Sequence, residues 1–366
     1  MKYAKPTKEK KQRPANQHPR LRRVRSLLYL IVLGLAIHVL LPQITSLEDS
    51  IHLLRTMSPW LVSLACLAQI GSYLGNGYLV KSIVDLGQTK LSLRRGLSIA
   101  LASGSIGLIG GWGGAGAATY RWVAKEKSTE VAVLTGILPP FFNEIVLVVV
   151  TIIALIFLLI DYHLSHTLVI SYSLFLFLIS LTLLIIIYAM KHQATMEPVV
   201  LRLVERLMHS LRRSYDPTPI RNAMDNLYRG FTLLDNKGWI RPALGAILNV
   251  GFDMLTLHFL FLATTYKIHP GVLLAGYGLA FLLGKVAYIV PGGVGIIESG
   301  MAAVYSSLGV PKSVSVVAIL SYRLFSFWIP TVFGFVAAGY LEREATRENT
   351  EKILKQSPPA RNAEDP

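Results

Sequence analysis

Charge is scarce in this chain, and cysteine scarcer still. Only 16% of its 366 residues are charged, against about 25% in soluble globular domains. That shortfall, with a mean hydropathy of +0.50, excludes an ordinary water-soluble domain. Cys66 is the single cysteine, which excludes an internal disulfide and a cysteine-based metal site. No H-E-x-x-H, nucleophile-elbow or P-loop pattern occurs, so the readable marks of metallohydrolases, serine hydrolases and nucleotide-driven pumps are missing. Acids are also few, 21 against 36 Lys and Arg. The basic excess lies at the ends and in one loop, the distribution of positive-inside orientation rather than of a nucleic-acid-binding surface.

What is present in quantity is apolar sequence. Runs of roughly 20 residues recur, the length that spans a hydrocarbon core, and they are continuous rather than alternating. This predicts an all-α polytopic membrane protein. Residues 1–25 hold ten Lys and Arg and one acid, and read as a basic, disordered cytoplasmic tail. Full spans are expected near 26–42, 59–80, 128–160 (interrupted by Pro139–Pro140), 167–190, 240–265 and 311–340. Residues 342–366 read as a polar, disordered cytoplasmic tail. Within 191–239, Val200, Val204, Leu207 and Leu211 share one helical face. Ile220, Met224, Leu227, Phe231 and Leu234 repeat the pattern. Two amphipathic helices on the cytoplasmic interface are expected there.

Two stretches do not fit as simple spans. Residues 93–127 are basic at both ends and glycine-loaded in the middle, so they start and end on the cytoplasmic side. Residues 271–308 start and end on the opposite side and break at "PGGVG" (291–295). Each is expected to be a re-entrant helical hairpin. "GGAG" (113–116) matches "GGVG" (292–295), and each is followed by a long apolar run opened by Lys-Ser (Lys127–Ser128, Lys312–Ser313). The expected architecture is about six full spans plus two re-entrant hairpins, roughly eight membrane helices by hydropathy. One membrane domain, 26–341, would contain an inverted repeat of 94–160 and 271–341, the layout of many transporters.

Irregular backbone in lipid is costly unless protein or a wet cavity covers it. Glycines at Gly113, Gly114, Gly116, Gly292, Gly293 and Gly295 keep both breaks bare. A helix starting after each would aim N–H groups and a positive dipole end into a shared cavity, an anion site suited to a phosphate headgroup. Close helix packing is the alternative reading of the same glycines. Ionisable residues at membrane depth are the sharper signal. Glu298 follows the second break, Arg323 lies in the last span and Lys285 precedes the break. Glu144 follows the Pro139–Pro140 kink, and Asp253 has Asn249 one turn earlier on its face. Glu298 and Arg323 read either as a structural ion pair or as parts of a site in which Arg323 or Lys285 is the phosphate ligand and Glu298 a gate or protonatable group. Glu144 and Asp253 read as hydrogen-bonded structural groups or as proton-coupling groups. His38 and His258 read as packing residues.

Three segments carry a family resemblance: "GGWGGAGAATYRW", "IVPGGVGIIESGMAAVYSSLGV" and "AILSYRLFSFWIPTVFGFVAAGYLE". Over roughly residues 20–342 the chain resembles the membrane domain of lysylphosphatidylglycerol synthetase, and more closely the stand-alone bacterial inner-membrane proteins built from that domain alone. Thr119 departs from the first motif. The resemblance implies lipid translocation or binding, without lysyl transfer, because the soluble transferase domain has no counterpart here. It places Gly113, Gly114, Gly116, Pro291, Gly292, Gly293, Gly295, Glu298, Tyr322 and Arg323 at the family's motif positions.

The expected function is therefore a flippase or translocase for a phosphate-bearing lipid, with no cofactor, no metal and no catalytic residue. Its partners would be anionic membrane lipids, not nucleic acid, with a homo-oligomer or partner membrane protein meeting it through 191–239. A membrane-embedded transferase and a non-transporting scaffold remain as alternatives. The expected location is the bacterial inner membrane, with both termini cytoplasmic.

Overall fold

The computed structural model describes residues 57–87, 90–124, 128–161, 166–210, 215–234, 238–286 and 295–356. The basic tail and the expected first span, with His38, lie outside these residues, as do Lys127, Pro291, Gly292 and Gly293. The described chain is helical: α1 Pro59–Val84, α2 Leu93–Ala124, α3 Thr129–Asp161, α4 His166–Lys191, α5 Gln193–Ser210, α6 Thr218–Phe231, α7 Ile240–Ala263, α8 Pro270–Val286, α9 Ile296–Ser307, α10 Lys312–Arg323 and α11 Ile329–Gln356. Four segments are long and apolar enough to cross a membrane: Thr129–Ile160, Tyr172–Lys191, Ile240–Ala263 and Lys312–Glu344. The count is below the expected six among the described residues. α1 is long enough, but Gln69, Ser72, Asn76 and Lys81 dilute its apolar run. The expected span at 26–42 is outside the described set.

α2 is two helical limbs joined at Gly111, whose φ of 62° and ψ of −166° are helical for no residue. Glycine reaches that conformation without a Cβ clash. The chain doubles back there, so Gly107 lies against Ala115, residues that a straight helix would hold about 12 Å apart. α8 and α9 form a second antiparallel pair: Gly276 meets Tyr305, Ala280 meets Gly300 and Gly284 meets Ile297. The hairpin limbs exchange partners across the molecule. α8 runs along α3, with Gly278 against Thr151 and Gly271 against Phe157. The first limb of α2 runs along α11, where Gly334 faces Leu101 and Ser105 donates its hydroxyl to the carbonyl of Thr331 at 2.9 Å.

α1 and α7 pack antiparallel at the centre, Gly75 against the backbone of Asn249 and Gly245 against Leu79. The second limb of α2 crosses α3 where Gly116 and Gly136 touch backbone to backbone. The main core gathers Leu257, Leu260, Phe261, Leu282, Met301, Tyr305 and Tyr322 from α7, α8, α9 and α10. Outside it, α3, α4 and α11 present Ile153, Ile156, Leu174, Phe177, Leu184, Val332, Phe333 and Val336 to the exterior. An exposed apolar band of that extent is untenable in water and natural in lipid.

The final long run differs from its expected course. Pro330 lacks an N–H, and its ring would collide with the carbonyl of Ser326 in a regular helix. The chain widens into a π turn over Leu324–Trp328 between α10 and α11. α11 then continues to Gln356, well past residue 342, where a disordered tail was expected. Ion pairs anchor the first turn of the continuation: Glu342 binds Arg121 and Glu344 binds Arg95, one on each limb of α2. The expected amphipathic helices are α5 and α6. Met196 and Val200 of α5 line a cavity against α3, α4 and α6, while Val199, Leu203 and Leu207 lie exposed.

Candidate functional site

α7 carries Asn249 and Asp253 one turn apart, so both reach α1. Asp253 accepts three hydrogen bonds, each from a different helix. Its Oδ1 takes one from the amide of Gln69 on α1 at 3.0 Å. Its Oδ2 takes one from the Tyr277 hydroxyl of α8 at 2.7 Å and one from the Tyr322 hydroxyl of α10 at 2.5 Å. Asn249 accepts from Ser72 of α1 at 3.0 Å and donates to Asn143 of α3 at 3.2 Å. Tyr73 donates to the carbonyl of Phe325 inside the π turn, where the regular helical ladder is interrupted. One polar layer thus ties α1, α3, α7, α8 and α10 together inside an apolar bundle.

The residue after Tyr322 turns to a second carboxylate. Arg323, only 4% exposed, donates from Nε to Oε1 of Glu298 at 2.5 Å. Glu298 Oε2 accepts the N–H of Gly295 at 2.7 Å and so closes the first turn of α9. The guanidinium carbon sits 4.3 Å from the Phe327 ring centroid, a cation–π distance. The end of α10 therefore bridges two acids, Asp253 through Tyr322 and Glu298 through Arg323. In a low-dielectric interior such a pair is strongly coupled, and removing either partner strands a charge.

The other expected site residues lie apart from this group. Gly113 and Gly116 line a crevice of about 270 Å³ with Tyr120 and Gly136, between α2 and α3. Gly114 sits near Ile106 across the Gly111 turn. α2 packs on α1, α3 and α11, and α9 packs on α8 and α10, so the two glycine-bearing helices belong to different packing groups. Lys285 lies on α8, its side chain outside the described set. Glu144 is in the wall of a cavity of about 760 Å³ between α3, α4, α5 and α6, whose lining is otherwise nearly all apolar, including Phe141, Leu183, Met190, Met224 and Phe231. His258 is half-buried with Phe259 6.1 Å away between ring centroids. Among the described residues no three His, Cys, Asp or Glu side chains gather as a metal site.

Sequence reasoning missed Gln69, Ser72, Tyr73, Asn143 and Tyr277. A signal was present: Gln69, Ser72 and Tyr73 fall at i, i+3 and i+4 in α1, a polar stripe along one side of the helix.

Paired helical hairpins, a buried polar layer and a lipid-facing exterior define a multi-pass helical membrane protein. The family model for the lysylphosphatidylglycerol synthase TM region matches residues 30–334, and the chain belongs to that family. It is 30% identical over 175 residues to a UPF0104 membrane protein of Methanocaldococcus jannaschii, covering 47% of this chain and 52% of that one. It is 36% identical over 85 residues to a UPF0104 membrane protein of Pyrococcus horikoshii, covering 23% and 25%. The matched stretch spans about half the length of the first relative and a quarter of the second.

Proposed function

We propose that the protein binds and translocates a phosphate-bearing membrane lipid, a phospholipid or a polyprenyl-phosphate carrier. Arg323 carries the reading: a guanidinium buried at membrane depth, paired with the carboxylate that closes the N-terminal turn of α9 beside a glycine break. A phosphate satisfies the same two partners as Glu298 does. It offers charge and paired acceptors to Arg323, and it suits the first-turn N–H groups of a helix. An arriving headgroup displaces Glu298, which makes the ion pair a gate. The bare glycines at 113, 114, 116, 292, 293 and 295, with Lys285 and Tyr322, complete the proposed path.

The hairpins are membrane-re-entrant in this reading, and 94–160 and 271–341 are inverted repeats. The exchange of partners supports it, since each hairpin leans on the long span of the other half. Alternating access then rocks one half against the other. The 760 Å³ cavity takes the lipid chains. Asp253 and Glu144 are the carboxyl groups through which an ion gradient couples. The basic tails and the 191–239 segment face the cytoplasm of a bacterial inner membrane by the positive-inside rule. Cysteines placed at Ser165 and Lys267 then label from outside only.

The test is lipid flipping in proteoliposomes, with co-purifying lipids identified by mass spectrometry for wild type and Arg323→Ala. The expected result is a phosphate-bearing lipid retained and moved unchanged by wild type, and lost in the variant. Equal retention of bulk lipids in both overturns the reading, and a chemically new lipid points to a transferase. The exposed stripe Val199, Leu203 and Leu207 on α5 favours a second role, contact with a copy or a partner membrane protein through 191–239. Unchanged size and cross-linking after Leu203→Glu and Leu207→Glu would exclude it.

A further inference from the structure

A crevice of about 510 Å³ lies between α9 and α10, away from Arg323 and Glu298. Its walls are Ala302, Ala303, Ser306 and Ser307 of α9 and Lys312, Ser315 and Val316 of α10. None of these is acidic. Three independent features converge on it. Lys312 opens α10 and brings a cation that makes no ion pair with any described residue. The first turn of the 12-residue α10 adds N–H groups that no helical carbonyl can reach. The third feature is Ser315, whose residue is 1% exposed and whose hydroxyl oxygen is buried without a hydrogen-bond partner.

Among the described residues, Ser315 and Ser326 are the two serines whose hydroxyls are buried without a partner. Ser63, Ser82, Ser98, Thr135 and Thr151 all turn their hydroxyls back onto the carbonyl four residues earlier. Ser315 has the carbonyl of Pro311 at the same offset and does not use it. A buried, unsatisfied hydroxyl costs free energy, and one lining a crevice with a lysine is poised for a ligand. Val316, one turn on from Lys312, is 45% exposed and offers an apolar wall to the crevice.

We propose that this crevice is an anion site for a phosphate group, held by Lys312, the first-turn N–H groups of α10 and the Ser315 hydroxyl. Cation, helix dipole and hydroxyl donor are the three elements that phosphate recognition uses. The Val316 wall makes a lipid phosphate the better fit than free phosphate. The lipid clause rests on the translocation reading, whereas the anion chemistry does not. If both hold, the molecule has two headgroup stations, one at the polar core and one here at the start of α10.

Native mass spectrometry of the full chain in neutral detergent tests this, with phosphatidic acid and inorganic phosphate as separate probes. Lys312→Gln and Ser315→Ala should each weaken phosphatidic acid binding roughly five- to tenfold, the worth of one or two hydrogen bonds. Lys312→Arg should restore it. Ser315→Ala should leave the apo protein at least as heat-stable as wild type, because it deletes an unsatisfied group. Unchanged affinity in both Lys312→Gln and Ser315→Ala overturns the site. Inorganic phosphate bound as tightly, with the same dependence on Lys312, keeps the anion site and removes the lipid clause. Arg323→Ala separates the two stations. If it abolishes flipping but leaves the Lys312-dependent binding, both proposals stand. If it changes nothing while Lys312→Gln does, this site stands and the translocation reading falls.

Discussion

Arg323 reaches from the end of α10 to Glu298, and Glu298 spends its other oxygen on the backbone of Gly295 at the head of α9. The pair therefore fixes where a helix begins, beyond joining two side chains. Breaking a buried pair by removing one member costs about 3–5 kcal/mol, whereas replacing both by apolar groups can be close to neutral. Arg323→Met and Glu298→Gln should each lower the unfolding temperature in detergent sharply, with the double variant less damaged than their sum. Additive losses would mean the two residues act separately.

Asp253 is held by donors from α1, α8 and α10, so each deletion should loosen a different contact. Tyr277→Phe and Tyr322→Phe each remove one donor and should cost about 1.5–3 kcal/mol, the range for bonds to a charged group. Asp253→Leu should cost more, because three polar groups lose their acceptor together. Thermal unfolding of the three variants checks the order. A Leu variant milder than the Phe variants would contradict the network.

α7 and α9 end in the same way with different residues. After α9, Gly309 has φ 82°, Val310 N–H bonds Tyr305 and Gly309 N–H bonds Ser306. After α7, Thr265 has φ 63°, Tyr266 N–H bonds Phe261 and Thr265 N–H bonds Leu262. Both are Schellman caps, which favour glycine at the left-handed position. A β-branched residue there is strained by about 1–2 kcal/mol. Thr265→Gly should stabilise the protein by about 1 kcal/mol and Gly309→Ala should destabilise it by a similar amount. Denaturation midpoints of the two variants carry opposite signs if the caps form as described.

Leu183 and Met190 line the 760 Å³ cavity from α4. Leu183→Trp adds bulk into space the packing leaves open, so the fold should tolerate it. Lipid flux in proteoliposomes should fall at least severalfold while the unfolding temperature stays level or rises. Full flux with the Trp in place would remove the cavity from the lipid path.

Much of the fold was legible because a bilayer imposes length. The runs at 128–160, 167–190 and 240–265 fall within a few residues of α3, α4 and α7, and the first hairpin turns inside the glycine cluster that suggested it. Glu298 and Arg323 do meet, while Tyr322 turns to Asp253 instead. Legibility failed where partners are chosen in three dimensions. Asp253 stood out as a charge, but nothing local names Gln69, Tyr277 or Tyr322 as its donors, since they come from helices far away in sequence. The helical course of 342–356 was hidden for the same reason. Its charges read as solvated tail until Arg95 and Arg121 of α2 are placed beside Glu344 and Glu342.

The exchange of partners between the two hairpins has a consequence for synthesis. The first limb of α2 leaves the ribosome early, yet the surface that covers Leu101 and Ser105 is carried by α11, which is made long after it. Until then α2 must wait with one flank bare. Chains cut short before residue 330 leave that flank bare for good, and quality-control proteases would meet an unfinished seam along α2.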